Sequence, residues 1–243
     1  MKPNECPTFI GVDLGWYGKP SGLAVFRWVS RGLRLCELTR MRDEKEIRGW
    51  ISERAGLGTA VVAVDAPIII RNKKGIRPAE KALNVQFWRF HAGCHPANLT
   101  RPFAGYVLRF SRALESMGFA FNTGMTAQEL GRFQIEVHPH AASVNLFRLP
   151  RIVKYKRGRR QKRADELNRF RKLLLDHLPE LEPRVKNLDL PSVPGRGSTK
   201  AVEDQLDAVL CAYIAAYWWY WGPAQNTIFG DCKTGFIIVP KMP

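Results

Sequence analysis

Acidic residues are scarce in this sequence: 22 Asp and Glu stand against 38 Lys and Arg in 243 residues, a net charge of +16. So lopsided a balance makes a polyanion the expected partner, nucleic acid first and an anionic membrane surface second. Cysteines are few. Cys6, Cys36, Cys94, Cys211 and Cys232 are scattered, odd in number and free of any C-x-x-C pair. They argue against a disulfide framework and for a reducing compartment. Long apolar runs are missing too. The longest, Ala208 to Trp221, ends at Gly222-Pro223 and falls short of the roughly 20 residues a bilayer span needs, so it reads as a buried core helix. Residues Met1 to Glu5 carry no apolar leader core, and the expectation is a cytoplasmic protein without a membrane partner. No internal repeat is present. At 45% hydrophobic and 25% charged residues, wholesale disorder is excluded. The chain reads as a single domain over residues 1–243.

The first 65 residues carry a β-β-β-α-β order. Thr8 to Asp13 reads as a buried strand entering a Gly-rich turn, Leu14 to Gly18; Ser21 to Ser30 and Arg34 to Met41 read as two more strands. Asp43 to Ala55 has Ile47, Trp50 and Ile51 at helical spacing with Asp43 as N-cap. Ala60 to Val64 is wholly apolar, which predicts a central strand covered on both faces. Residues 68–130 read as an excursion, with helices near Pro78–Phe90 and Phe103–Met117. Phe133 to Val137 is a further strand that stops at His138-Pro139, and Ala164 to His177 is helical by spacing. A long helix, Ala201 to Trp221, and a closing hairpin about Asp231 to Gly235 follow.

Against this basic background, four carboxylates sit where acids are least expected. Asp13 ends one apolar strand, Asp65 follows another, Glu136 lies inside a third, and Asp207 heads the most apolar helix. Ala208, Cys211, Ala212, Ala215 and Ala216 would let that helix approach the strands closely. Taken singly, each acid reads as a cap, turn or surface residue; Glu203 and Asp204 also simply favour a helix start. Taken together they predict a cluster of buried carboxylates, which is costly unless paired or bound to metal. Hard oxygen ligands suit Mg²⁺ or Mn²⁺. His138, two residues beyond Glu136, reads as a turn residue or as a group that positions water or phosphate. His91, Cys94, His95 and His140 echo zinc spacings without a clean partner pair.

Positive charge gathers in two stretches. Lys73, Lys74, Arg77 and Lys81 lie just beyond the Asp65 strand. The segment 151–172 holds 11 Lys and Arg against Asp165 and Glu166. Its densest part contains Lys154, Lys156, Arg157, Arg159, Arg160, Lys162 and Arg163, with Tyr155 available to stack and Gly158 to bend. These are the expected contacts to DNA or RNA; the plainer reading is a solvated helix face. Phe87, Trp88 and Phe90 read as local core.

Gly11-Val12-Asp13, Val64 to Ile68, Arg77 with Glu80 and Leu83, Glu136 to Pro139, Lys156 to Arg160, Asp204-x-x-Asp207-Ala208, and Asp231 to Val239 follow one another along the chain. In these segments the chain resembles domain-of-unknown-function family 429, predicted nucleases of ribonuclease H-like fold. One departure is Ile68-Ile69-Ile70-Arg71, where the family usually has a Gly- or Leu-rich turn. The resemblance implies an α/β fold: a mixed sheet with the first three strands antiparallel and the rest parallel, flanked by helices, here with a basic helical insertion. It places metal-binding acids at Asp13, Asp65, Glu136 and Asp207. The implied activity is metal-dependent phosphodiester hydrolysis with two ions, Asp13 bridging both, Asp65 and Asp207 completing one shell each, and Glu136 a ligand or nearby base. Two alternatives stand beside it. One is a non-catalytic nucleic-acid-binding protein with a vestigial metal site. The other is an actin- or sugar-kinase-like phosphotransferase, favoured by the Gly11 to Gly15 turn.

Overall fold

The computed structural model describes residues 6–16 and 18–242; the first five residues and Tyr17 of the Gly-rich turn lie outside the described residues. Strand β1 (Thr8–Asp13) pairs antiparallel with β2 (Ser21–Trp28), and β2 with β3 (Leu33–Met41). Helix α1 (Glu44–Ala55) follows, and its N-cap Asp43 accepts a hydrogen bond from the Glu46 amide at 2.9 Å, as the sequence predicts. The chain then returns as β4 (Ala60–Val64), parallel to β1 on its other side. Every residue of β4 is buried, which is what its unbroken apolar run requires of a strand covered on both faces.

Helices α2 (Pro78–Phe87) and α3 (Ala104–Ser116) form within the 68–130 excursion. Its ends belong to the main body. Ile68 and Ile69 are buried in the principal core. The short strand β5 (Ala120–Phe121) pairs parallel with β6 (Arg132–Glu136), which pairs parallel with β4. The sheet order is thus β3-β2-β1-β4-β6-β5, antiparallel through the first three strands and parallel beyond, the mixed α/β sheet expected. Phe87 is buried, but Trp88 is 72% exposed, so the local-core reading of that aromatic group fails at Trp88.

Helix α4 (Pro139–Leu146) was not expected, and α5 (Arg160–His177) begins four residues before the Ala164 start read from the sequence. After α6 (Lys200–Trp221) the anticipated hairpin forms from β7 (Asn226–Asp231) and β8 (Gly235–Pro240). It is a separate two-stranded sheet, joined to the region beyond β6 by a parallel bridge from Val137 to Ile238.

Helix α6 fixes the geometry that matters most. It crosses β1, β2 and β4, and its residues from Leu206 to Trp219 are all buried. Close approach depends on glycine. A Cβ at Gly11 would stand 2.0 Å from the Ala208 carbonyl oxygen, and one at Gly22 would stand 1.9 Å from that of Asp204. The small residues opposite on α6 complete the fit. The helix backbone therefore rests directly on the strand backbones, and Asp204 and Asp207 are carried to the strand ends. Burial of Trp218, Trp219, Phe9 and Phe26 anchors it, at about 1.5–3 kcal/mol for each large apolar side chain. Among the described residues no helix is long and apolar enough to cross a membrane. The five cysteines are free thiols.

Candidate active site

Three of the four predicted acids converge. Asp13 is the last residue of β1, Asp65 immediately follows β4, and the Asp65 amide donates to the Val12 carbonyl at 2.9 Å. Adjacent parallel strands thus end with their carboxylates side by side, and α6 brings Asp207, wholly buried, onto them. The electrostatics report the crowding. Burial, followed by the Asp207 charge, lifts the Asp13 carboxyl well above the usual carboxylate range; Asp65 and Asp204 add to the lift and Lys156 opposes it. Burial lifts Asp65 to about 6, with Lys156 lowering it and Asp207 raising it.

The fourth acid goes elsewhere. Glu136 lies beside Val64 in the sheet register, but its carboxylate is taken by Arg77. Nη1 donates to Oε2 at 2.8 Å and Nη2 to Oε1 at 2.5 Å. Arg77 also donates to Glu80 at 2.9 Å and to the Ile69 carbonyl at 2.8 Å. Burial pushes Glu136 up to about 7, and the Arg77 guanidinium pulls it back. The reading of Glu136 as a metal ligand thus meets an interior fork-to-fork ion pair. Arg77, expected to touch nucleic acid, is 1% exposed and ties the start of α2 to the sheet.

The basic segment divides likewise. Tyr155, read as a stacking group, is buried; its hydroxyl donates to Asp207 Oδ1 at 2.5 Å and its ring stacks on Phe170 at 4.8 Å. Lys156 turns inward, with Nζ 2.9 Å from Asp207 Oδ2 and 35% of its side chain still exposed. The contact is an ion pair without hydrogen-bond alignment, since Asp207 Oδ2 has no hydrogen-bond partner. Burial disfavours the Lys156 ammonium, but Asp207, Tyr155, Asp13 and Asp65 outweigh it and hold its pKa well above the ordinary lysine value. Arg160 donates to the Gly197 carbonyl at 2.9 Å, and Arg163 is half-buried. Lys154, Arg157, Arg159 and Lys162 remain exposed, as do Lys73, Lys74 and Lys81.

Asp204, Glu203 and His138 are engaged by neighbours as well. Asp204 accepts from Arg40 at 2.8 Å and pairs with Lys200 at 2.7 Å, and Lys200 also donates to Glu203 at 2.7 Å. His138 is the N-cap of α4, with Nε2 3.1 Å from the Ala92 carbonyl. Burial and the Lys156 charge lower His138 to about 4 and His140 to about 3, so both are neutral rings at pH 7. Residues the sequence reading missed are Arg40 and Lys200, which neutralise Asp204, and the inward-facing roles of Tyr155 and Lys156.

Among the described residues, no group of three or more His, Cys, Asp or Glu is arranged to hold a metal ion. The donor chemistry nevertheless suits a hard divalent cation: the converging groups are all carboxylates, and the buried Oδ2 of Asp207 is met only by the Lys156 ammonium, with no hydrogen bond. The Gly-rich turn is explained by packing. A Cβ at Gly15 would stand 2.4 Å from the Lys19 and Pro20 carbonyl oxygens, and its amide already donates to Ser21 Oγ at 3.0 Å.

The model of the family described as "Protein of unknown function (DUF429)" matches residues 11–231. No curated protein matches the chain. With nearly its whole length covered, the chain belongs to this family.

Proposed function

We propose that this DUF429 protein is a metal-dependent nuclease of ribonuclease H-like architecture, hydrolysing phosphodiester bonds of DNA or RNA at the Asp13–Asp65–Asp207 cluster. The observation that carries the reading is the convergence of those three carboxylates at one end of the sheet, directly beside a turn of exposed basic residues. Asp13 and Asp65, both half-buried, are held above the usual carboxylate range by desolvation and by the charge of the buried Asp207, an unstable arrangement kept at functional sites more often than elsewhere. Asp13 and Asp65 would hold Mg²⁺ or Mn²⁺ directly, with the Asp207 charge beside them. When bound, the ion would supply charge neutralisation at the scissile phosphate and a more acidic water.

The protein's own groups do the rest. Tyr155 fixes the Asp207 carboxylate through its hydroxyl hydrogen bond. Arg40 and Lys200 neutralise Asp204, so its charge does not add fully to the cluster. Lys154, Arg157, Arg159 and Lys162 would attract the phosphate backbone. The free thiols and the absence of a membrane-length helix among the described residues fit our placing it in the cytoplasm.

A second reading, a nucleic-acid-binding protein with a vestigial site, draws on Lys156 already neutralising the acids. The two separate on one experiment: purified protein incubated with single-stranded, duplex, hybrid and junction substrates, with Mn²⁺ or with chelator. Metal-dependent cleavage of any substrate supports the nuclease. Tight, salt-sensitive binding with no cleavage supports the second reading.

A further inference from the structure

We infer that the Lys156 ammonium occupies one cation place among Asp13, Asp65 and Asp207, so that this site takes a single divalent ion instead of two. The inference rests on the proposed metal site. Three observations carry it.

Lys156 is held in place from its own neighbour. Tyr155 is locked by its hydrogen bond to Asp207 and by its stacked contact with Phe170, so the next residue is aimed at the same carboxylate. Its Nζ reaches Asp207 Oδ2 at 2.9 Å, while the adjacent Arg157 stays exposed. The ammonium is a compact, localised positive charge, as a metal ion is.

Asp207 has no oxygen to spare for a second ion. Oδ1 accepts from Tyr155 and Oδ2 faces the ammonium, which leaves the Asp13–Asp65 side as the place for a divalent ion.

Charge balance agrees. Asp204 and Glu203 together are matched by Arg40 and Lys200. The three remaining carboxylates less one ammonium leave two negative charges, which one divalent ion cancels. A second ion would leave this half-buried site with two positive charges in excess, an arrangement that desolvation penalises.

The test is Mn²⁺ stoichiometry and affinity by isothermal titration calorimetry and equilibrium dialysis, with no nucleic acid present, on wild type, Lys156→Met and Lys156→Arg. The expected result is a single Mn²⁺ per wild-type chain, the same for Lys156→Arg, and for Lys156→Met either a second ion or at least about tenfold tighter binding of the first. Lys156→Arg keeps the charge, and the wild-type count stands without any variant, so misfolding of Lys156→Met leaves the inference testable. Two ions on wild type, or a Lys156→Met protein that folds and binds Mn²⁺ as wild type does, would overturn the inference and leave the metal site standing. No Mn²⁺ on any of the three overturns both.

Discussion

Arg77 and Glu136 lie 59 residues apart in the chain and meet in the interior through two parallel hydrogen bonds of 2.8 and 2.5 Å. Arg77 is 1% exposed and Glu136 4% exposed. Such a pair contributes little beyond what apolar residues of the same shape would, yet removing one partner leaves a buried charge alone. Arg77→Met should therefore destabilise the protein by about 3–5 kcal/mol, and adding Glu136→Leu should recover only the Glu136 share of that loss, because the buried Glu80 also loses its guanidinium partner. Urea denaturation of the two variants checks it; equal stability losses would refute the pairing argument.

A methyl group at Gly11 has nowhere to go. Its Cβ would stand 2.0 Å from the Ala208 oxygen and 2.3 Å from the Ala212 nitrogen, both backbone atoms that cannot swing aside. Gly11→Ala should cost about 3 kcal/mol through overpacking and, by lifting α6, should separate Asp207 from Asp13. Denaturation measures the first effect and Mn²⁺ affinity the second.

Exposed and interior basic residues should part company in nucleic-acid binding. Replacing both Arg157 and Arg159 by Gln should flatten the slope of log affinity against log salt by about two. Arg160→Gln should change it less, because that guanidinium is already committed to the Gly197 carbonyl. Filter binding at several salt concentrations distinguishes them.

These contrasts mark where the sequence was readable. The run AVVAV announced a central strand because a doubly covered strand is apolar on both faces. Gly11 and the alanines of α6 announced close packing. Asp13, Asp65 and Asp207 stood out because each ends or heads an apolar element. Helix α4 was missed because seven of its eight residues are buried, which leaves no amphipathic period to read. The placement of Arg77 and Lys156 was misread for a different reason. A charge run looks like a solvated face, and the acids that draw those two residues inward lie far along the chain. One clue to Arg77 existed: Arg77, Glu80, Leu83 and Phe87 fall on one helical face, and all four are buried.

Crowded carboxylates also have a stability consequence. Burial and the Asp207 charge disfavour the ionised Asp13, so Asp13→Asn should raise stability by about 0.5–2 kcal/mol in metal-free buffer at neutral pH. Added Mn²⁺ should stabilise wild type and leave the variant unmoved. Thermal melts with and without the ion provide the check; a lower melting temperature for the metal-free variant would contradict the repulsion.

A nuclease site built on Asp13, Asp65 and Asp207 cannot work without the first of these acids. Its most direct test compares wild type and Asp13→Asn, purified in parallel, on whichever nucleic acid wild type cleaves with Mn²⁺. The expected result is metal-dependent cleavage by wild type, loss of at least about a hundredfold in rate for the folded variant, and unchanged binding of the nucleic acid. Cleavage by Asp13→Asn at the wild-type rate would contradict it.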